Sequence, residues 1–184
     1  HLGHMRNDAL GMAVSNIFEA TGHKVIKAVL FSNRGIHICK SMLAYKKWGK
    51  AKAPAKKSDH FVGDFYVLYE QNRNESLDKE LYDMLRKWEK GDKPTIALWK
   101  KMDAWALKGF RETYKEFGSR FDAEFRESDF YDKARPIIDA GLKKGVFKKE
   151  SDGAVSADLE KHGLGKKFVL RADGTPIYLT NDLA

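Results

Sequence analysis

Between Met5 and Trp48 the chain alternates helix, strand and helix, and this order limits its architecture more than any other feature. Leu10, Ala13, Val14, Ile17 and Phe18 recur at three- and four-residue steps. That spacing predicts a helix from Met5 to Gly22 with one buried face, closed by the glycine. "HKVIKAVLF" (His23 to Phe31) is short and rich in β-branched residues, which predicts a buried strand. "SNRG" then turns the chain, and Ile36 to Trp48 reads as a second helix. Strands separated by helices build parallel sheets, so the fold class is α/β.

The rest of the chain adds to this frame. "KWGKAKAPAKKSDH" (47–60) is lysine-rich with Ala, Gly and Pro, and reads as a flexible connection. Phe61 to Lys90 and Pro94 to Phe117 are long amphipathic stretches. In the second, Trp99, Met102, Trp105 and Ala106 share a face, which is the pattern of core packing. "RFDAEFRES" alternates Phe121, Ala123 and Phe125 with charged residues, the period of a strand. "FYDKARPIIDAGLKKG" predicts a short helix stopped by Gly145. Two Asp-Gly turn signals, in "VFKKESDGAVSADL" and "KFVLRADGTPIYL", predict a small antiparallel β unit.

Composition excludes several classes. Hydrophobic residues make up 42% of the 184, which fits a globular chain. No apolar run is long enough to span a membrane, and the start lacks the charged and apolar regions of a signal peptide. The single cysteine, Cys39, rules out a disulfide framework and a multi-thiolate zinc site, and the cytoplasm is the expected compartment. Cys39 has no neighbouring His and reads as buried and inert. A net charge of +8 suggests a polyanionic partner such as RNA or nucleotide phosphate.

Two histidines three apart open the chain in "HLGHMRND", and three readings stand for them. They could be two metal ligands on one helical face. They could be residues left by cloning. They could also serve phosphate chemistry at a helix N-terminus, where free N–H groups and the helix dipole attract anions. In the last case Gly3 lets a flat purine approach the backbone. At the other end, in "YLTNDLA", Tyr178 and Asp182 are four apart and would share a face at a helix start. A carboxylate accepts a guanidinium through two parallel hydrogen bonds, and an aromatic ring stacks on it. That makes the pair a candidate pocket for an arginine side chain, beside the plain alternative of a turn tyrosine and a capping aspartate. His23 and His37 sit at turns and read as structural.

His1-Leu2-Gly3-His4 resembles the His-x-Gly-His signature of class I aminoacyl-tRNA synthetases. "HLGHMRNDALGMAVSNIFEATGHKVIK", "NRGIH", "KSDHFVGDFYVLYEQ" and "DGTPIYLTNDLA" together are similar to the arginyl-tRNA synthetase family, end to end. The resemblance implies a partial Rossmann-like nucleotide-binding domain with a long helical insertion and a small antiparallel β unit. It divides the chain into the first part of the catalytic domain (1–46), a lysine-rich loop and helical segment (47–118), a strand with a connective insertion (119–172), and a return to the catalytic domain (173–184). It implies that His1 and His4 contact ATP phosphates and stabilise the adenylation transition state, that Gly3 packs under the adenine, and that Asn33, Tyr178 and Asp182 surround the bound L-arginine. Many relatives resemble "DWG" or "DRG" where this chain reads "NRG". The amide of Asn33 removes one negative charge, leaving Asp182 as the only acid assigned to the guanidinium.

The implied activity is arginine–tRNA ligation, with ATP, Mg²⁺ accompanying it, and tRNA(Arg) as partners, and no membrane. The family also carries a preceding strand and a later lysine-bearing loop, so these residues are expected to be a truncated piece, close to inactive alone. Exposed sheet edges would make pairing with another chain possible. Two alternatives are a nucleotidylyltransferase sharing the His-x-Gly-His signature, and a non-catalytic module that binds ATP or RNA.

Overall fold

The structure, a computed structural model, describes residues 2–130, 132–172, 174 and 177–183, apart from the side chains of Tyr178 and Asn181. The chain divides into two compact units, His1–Val29 with Asn33–Glu124, and Leu30–Ser32 with Phe125–Ala184.

The first unit is built on helices α1 (Leu2–Ala20), α2 (Ile36–Trp48), α3 (Ser58–Gln71), α4 (Glu75–Glu89) and α5 (Lys93–Phe117). Local signals set their ends. Asn74 caps α4 by accepting from the Leu77 N–H at 2.9 Å, and Asp92 caps α5 by accepting from Thr95 at 3.0 Å. Gly118 closes α5 in the left-handed region at φ +81°. The long amphipathic stretch from Phe61 to Lys90 is therefore two helices, α3 and α4, broken at 72–74. Their inner faces and that of α2 form the core: Cys39, Met42, Leu43, Tyr45, Tyr69 and Trp88 are all buried, and Met102 joins them from α5. Trp99 and Trp105 pack against this cluster, so the aromatic stripe of α5 is core, as its spacing suggests. Tyr69 donates to Asp78 at 2.6 Å; burial, then that bond, push its hydroxyl well above the usual tyrosine range.

Two expectations fail here. The first is the buried face of α1, which has no buried residue: Leu10, Val14 and Ile17 are 56%, 50% and 64% exposed. Periodicity marks which side of a helix is apolar, but not what covers it. Polar contacts help hold α1 instead, with Asp8 accepting from Ser119 and Glu19 pairing with the buried Lys27 ammonium. The second is the nine-residue buried strand, which is only β1 (Ala28–Phe31), with Phe31 alone buried. The Lys27 backbone is engaged by Asp122 just before the strand starts: its N–H donates to the Asp122 carboxylate at 2.8 Å, and its carbonyl accepts from Asp122 N–H at 2.7 Å.

The expected connection at 47–60 is shorter than its composition suggests. Lys47 and Trp48 finish α2, and α3 begins at Ser58. Between them the loop is fastened, with Tyr45 donating to the Lys52 carbonyl at 2.9 Å. Lys57 donates to Asp59, the Gly109 carbonyl and Thr113 at 2.5, 2.7 and 2.8 Å.

β1 pairs with β2 (Ala123–Arg126) in a two-stranded sheet, with four helices between them in sequence. The second unit contains α6 (Ala134–Lys143) and an antiparallel sheet ordered β3 (Lys148–Lys149), β4 (Val155–Asp158), β5 (Lys166–Leu170). Ser156 faces Lys148 on one side and Phe168 on the other. This is the expected small antiparallel unit. Its core is Ile138, Val155, Val169 and Leu170. Gly141 lets Phe147 close over α6, since a Cβ there would fall 2.3 Å from the ring. Among the described residues, no helix is long and apolar enough to cross a membrane.

Candidate functional site

Gly3 and His4 occupy the first turn of α1; His1 lies outside the described residues. His4 is exposed and Gly3 half-buried. No acidic side chain occupies this turn. The positive end of the α1 dipole thus carries no neutralising acid from its own first turn, and His4 stands in that turn.

Asn33 lies between β1 and α2, and it is 5% exposed. Its backbone carbonyl accepts from Trp99 Nε1 at 2.8 Å, and its Nδ2 donates to Asp103 Oδ2 at 3.4 Å. The next residue, Arg34, lies 5.1 Å over the Trp88 ring, which packs at 5.2 Å against Trp99. Gly35 follows at φ +102°, a conformation that suits glycine and begins α2. The turn is thus held from α4 and α5, both remote in sequence.

Asp103 is the residue that reading the sequence missed. It sits one helical turn beyond Trp99, and the two reach Asn33 together. An acid on the flank of the aromatic stripe was the only available signal. The structure therefore gives the Asn33 turn a carboxylate that the "NRG" sequence itself lacks. One negative charge is shared by an amide and an acid, and this arrangement makes a prediction. Asn33→Asp alone sets two carboxylates against each other and lowers the melting temperature. Adding Asp103→Asn restores an acid–amide pair and recovers most of the loss. A double mutant no more stable than Asn33→Asp alone would contradict the pairing.

Tyr178 and Asp182 belong to the second unit. α7 (Tyr178–Asp182) is a single helical turn, so the two positions stand one turn apart. Leu179 and Leu183 pack on the core of the unit. Thr180 donates to the Val169 carbonyl and accepts from the Ile177 N–H at 2.8 Å. These contacts fix the turn and leave Asp182 exposed. The Tyr178 side chain lies outside the described residues.

The remaining sequence candidates have structural contacts. His23 Nδ1 is 3.0 Å from the Thr21 hydroxyl, and its ring meets Phe18 edge-on. Cys39 is fully buried, and burial first, then Glu89, pushes its thiol up to about 12. Among the described residues, no three His, Cys, Asp or Glu side chains are grouped to hold a metal ion.

The family description "tRNA synthetases class I (R), catalytic domain" matches residues 1–184. The chain belongs to the class I arginyl-tRNA synthetase family. The arginine–tRNA ligase of Treponema denticola is 48% identical over 190 residues, covering all of this chain and 32% of that protein. That of Parabacteroides distasonis is 44% identical over 205 residues, covering all of this chain and 34% of that protein. The chain spans about a third of the length of the curated relatives it matches. Among solved structures, Thermus thermophilus arginyl-tRNA synthetase superposes with a TM-score of 0.81 at 25% identity, over 99% of this chain and 32% of that one. The Plasmodium falciparum enzyme shares the fold, with a TM-score of 0.74 at 16% identity over 99% of this chain and 31% of that one. The α/β arrangement is thus part of the Rossmann-like catalytic domain of class I synthetases.

Proposed function

We propose that this chain is the nucleotide- and arginine-binding part of an arginine–tRNA ligase. The observation that carries the reading is the match to the catalytic-domain family from residue 1 to residue 184, with the signature glycine and second histidine in the first turn of a helix. In this reading His1 and His4 donate to ATP phosphate oxygens, the α1 N-terminus attracts the charge that builds on them, and Gly3 leaves room for the adenine. Such donors act by meeting charge that develops in the transition state. The arginine carboxylate attacks the α-phosphate, pyrophosphate leaves, and a hydroxyl of the 3′-terminal ribose of tRNA(Arg) then attacks the activated carbonyl and expels AMP. The residues assigned to the amino acid are Asn33, backed by Asp103, in the first unit and Tyr178 and Asp182 in the second, with Asp182 accepting the guanidinium.

Mg²⁺ accompanies ATP in this reading, and no step above depends on it. The cytoplasm is the compartment this activity implies. The exposed apolar residues of α1 support a covering partner. The occupant we infer is the remaining two thirds of a synthetase of the relatives' length. These 184 residues alone are then expected to be nearly inactive.

The test is arginine-dependent ATP–pyrophosphate exchange, with and without tRNA. It is run on this chain and on a hybrid in which it replaces the matching third of the Parabacteroides enzyme. The hybrid should exchange with arginine alone. His4→Ala should slow it by roughly 10²–10³-fold, the scale for removing one preorganised donor. Exchange with another amino acid would overturn the arginine assignment, and an undiminished rate in His4→Ala would remove the histidine from the chemistry.

A further inference from the structure

Ser58 is 5% exposed, and its Oγ is the one buried side-chain polar atom without a hydrogen-bond partner among the described residues. Burying an unpaired hydroxyl is unfavourable, and such an atom in a folded protein calls for an explanation. Ser58 is also the first residue of α3, a helix of 14 residues. The first N–H groups of a helix have no acceptor within it, and Lys57, at the cap position, supplies no side-chain cap. Asp59 accepts from the His60 N–H at 2.9 Å, so the donors left at this point are the Ser58 and Asp59 N–H groups and the buried Ser58 hydroxyl.

A cavity of about 270 Å³ lies over that point, and Lys56, Lys57, Ser58, Trp105, Lys108 and Glu112 line it. The three lysines are not equivalent. The Lys57 ammonium is fully used by Asp59, the Gly109 carbonyl and Thr113. Lys56 pairs with Asp64 where both side chains are at least half exposed, a contact that a stronger anion displaces easily. Lys108 makes no ion pair with a described residue. Glu112, one turn further along α5, opposes it with a negative charge, and Asp59 in the first turn of α3 carries another, which the Lys57 ammonium pairs. The positive end of α3 and the two available lysines favour an oxyanion that accepts from several donors at once.

We propose that the N-terminus of α3 is a phosphate-binding site, in which Ser58 Oγ, the Ser58 and Asp59 N–H groups and Lys108 hold the anion beside the Trp105 ring. The anion is a phosphodiester of RNA. That source alone rests on the synthetase reading; the phosphate site itself does not. None of the residues assigned to ATP or arginine takes part.

The experiment is an amide-resolved NMR titration of the 184-residue chain. Inorganic phosphate is the first probe, followed by ATP and a short RNA hairpin. Saturable shifts are expected at the Ser58 and Asp59 amides and at the Trp105 indole. Ser58→Ala should weaken phosphate about tenfold, the scale of one hydrogen bond to a charged group. It should also leave the melting temperature equal or higher, because the orphaned hydroxyl is gone, so lost binding cannot be mistaken for unfolding. Lys108→Ala should weaken binding, and Glu112→Gln should tighten it. Absence of saturable shifts, or equal affinity in wild type, Ser58→Ala and Lys108→Ala, would overturn the site. In the RNA arm, Lys108→Ala should reduce the salt dependence by about one phosphate contact. If phosphate and ATP bind but RNA never shifts these amides, the RNA source is overturned while the phosphate site stands. Failure of arginine-dependent exchange in the hybrid would count against the synthetase reading and leave the phosphate titration untouched.

Discussion

Trp88→Ala is expected to lower the stability of the first unit by about 3–5 kcal/mol, the range for removing a large buried aromatic. Trp88 is 3% exposed near the end of α4, where it packs against Trp99 and carries the Arg34 guanidinium over its ring. Alanine would leave a cavity between α4 and α5 that surrounding side chains fill only in part. Denaturant unfolding followed by far-UV circular dichroism reads the loss as a lower midpoint with an unchanged slope. The consequence should extend to ligand binding, because the same ring holds one side of the Asn33–Arg34 turn. In the active hybrid, KM for arginine should rise more than KM for ATP, and Trp88→Phe, which keeps an aromatic contact, should be milder on both counts. An equal rise for the two substrates would separate Trp88 from the arginine side of the site.

Gly109→Ala is expected to destabilise, although helix propensity alone argues the opposite. Replacing a helical glycine by alanine favours the helix by about 1 kcal/mol. At Gly109, however, the new methyl would lie 2.3 Å from Asp59 Oδ1 and 2.4 Å from its Cγ. Asp59 is the carboxylate paired with Lys57, and the two side chains are 12% and 24% exposed. Moving it disturbs the contacts that tie the start of α3 to α5. Overpacking costs about 1–3 kcal/mol, and disturbing this half-buried ion pair adds to it. Set against the propensity gain, the net result should be a loss of about 1–2 kcal/mol. Gly63 is the control, for it lies in α3 where an added methyl would meet nothing within 4 Å. Gly63→Ala should gain about 0.5–1 kcal/mol from propensity. Melting temperatures that rise in both variants would show that Asp59 moves aside freely.

The helices are the most legible part of the sequence, because their signals are local. The spacing from Ile36 to Trp48 matches α2 to the residue, and Pro94 to Phe117 misses only the first position of α5. The strand reading overextends β1 because β-branched residues report a preference for extended backbone and say nothing of the bond from Asp122 that precedes the strand. The apolar stripe on α1 is real as a stripe, but its burial depends on surfaces that lie elsewhere. At the candidate site, the turn that Tyr178 and Asp182 presuppose is present as α7. The contact of Asn33 with Asp103 crosses 70 residues, and no spacing rule reaches that far. Ser58 is hidden among lysines that read as solvent-facing linker.

The burial of Cys39 also makes it a clock. It is the single cysteine of the chain, fully buried on α2 at the centre of the helical core, with a thiol pushed up to about 12. The thiolate is the reactive form, so a maleimide or disulfide reagent can label it quickly only after α2 has come away from its neighbours. One site gives one rate, free of the overlap that several thiols would bring. Trp88→Ala should speed that labelling by about two to three and a half orders of magnitude if its loss of about 3–5 kcal/mol falls on the same opening event, since each 1.4 kcal/mol is about tenfold.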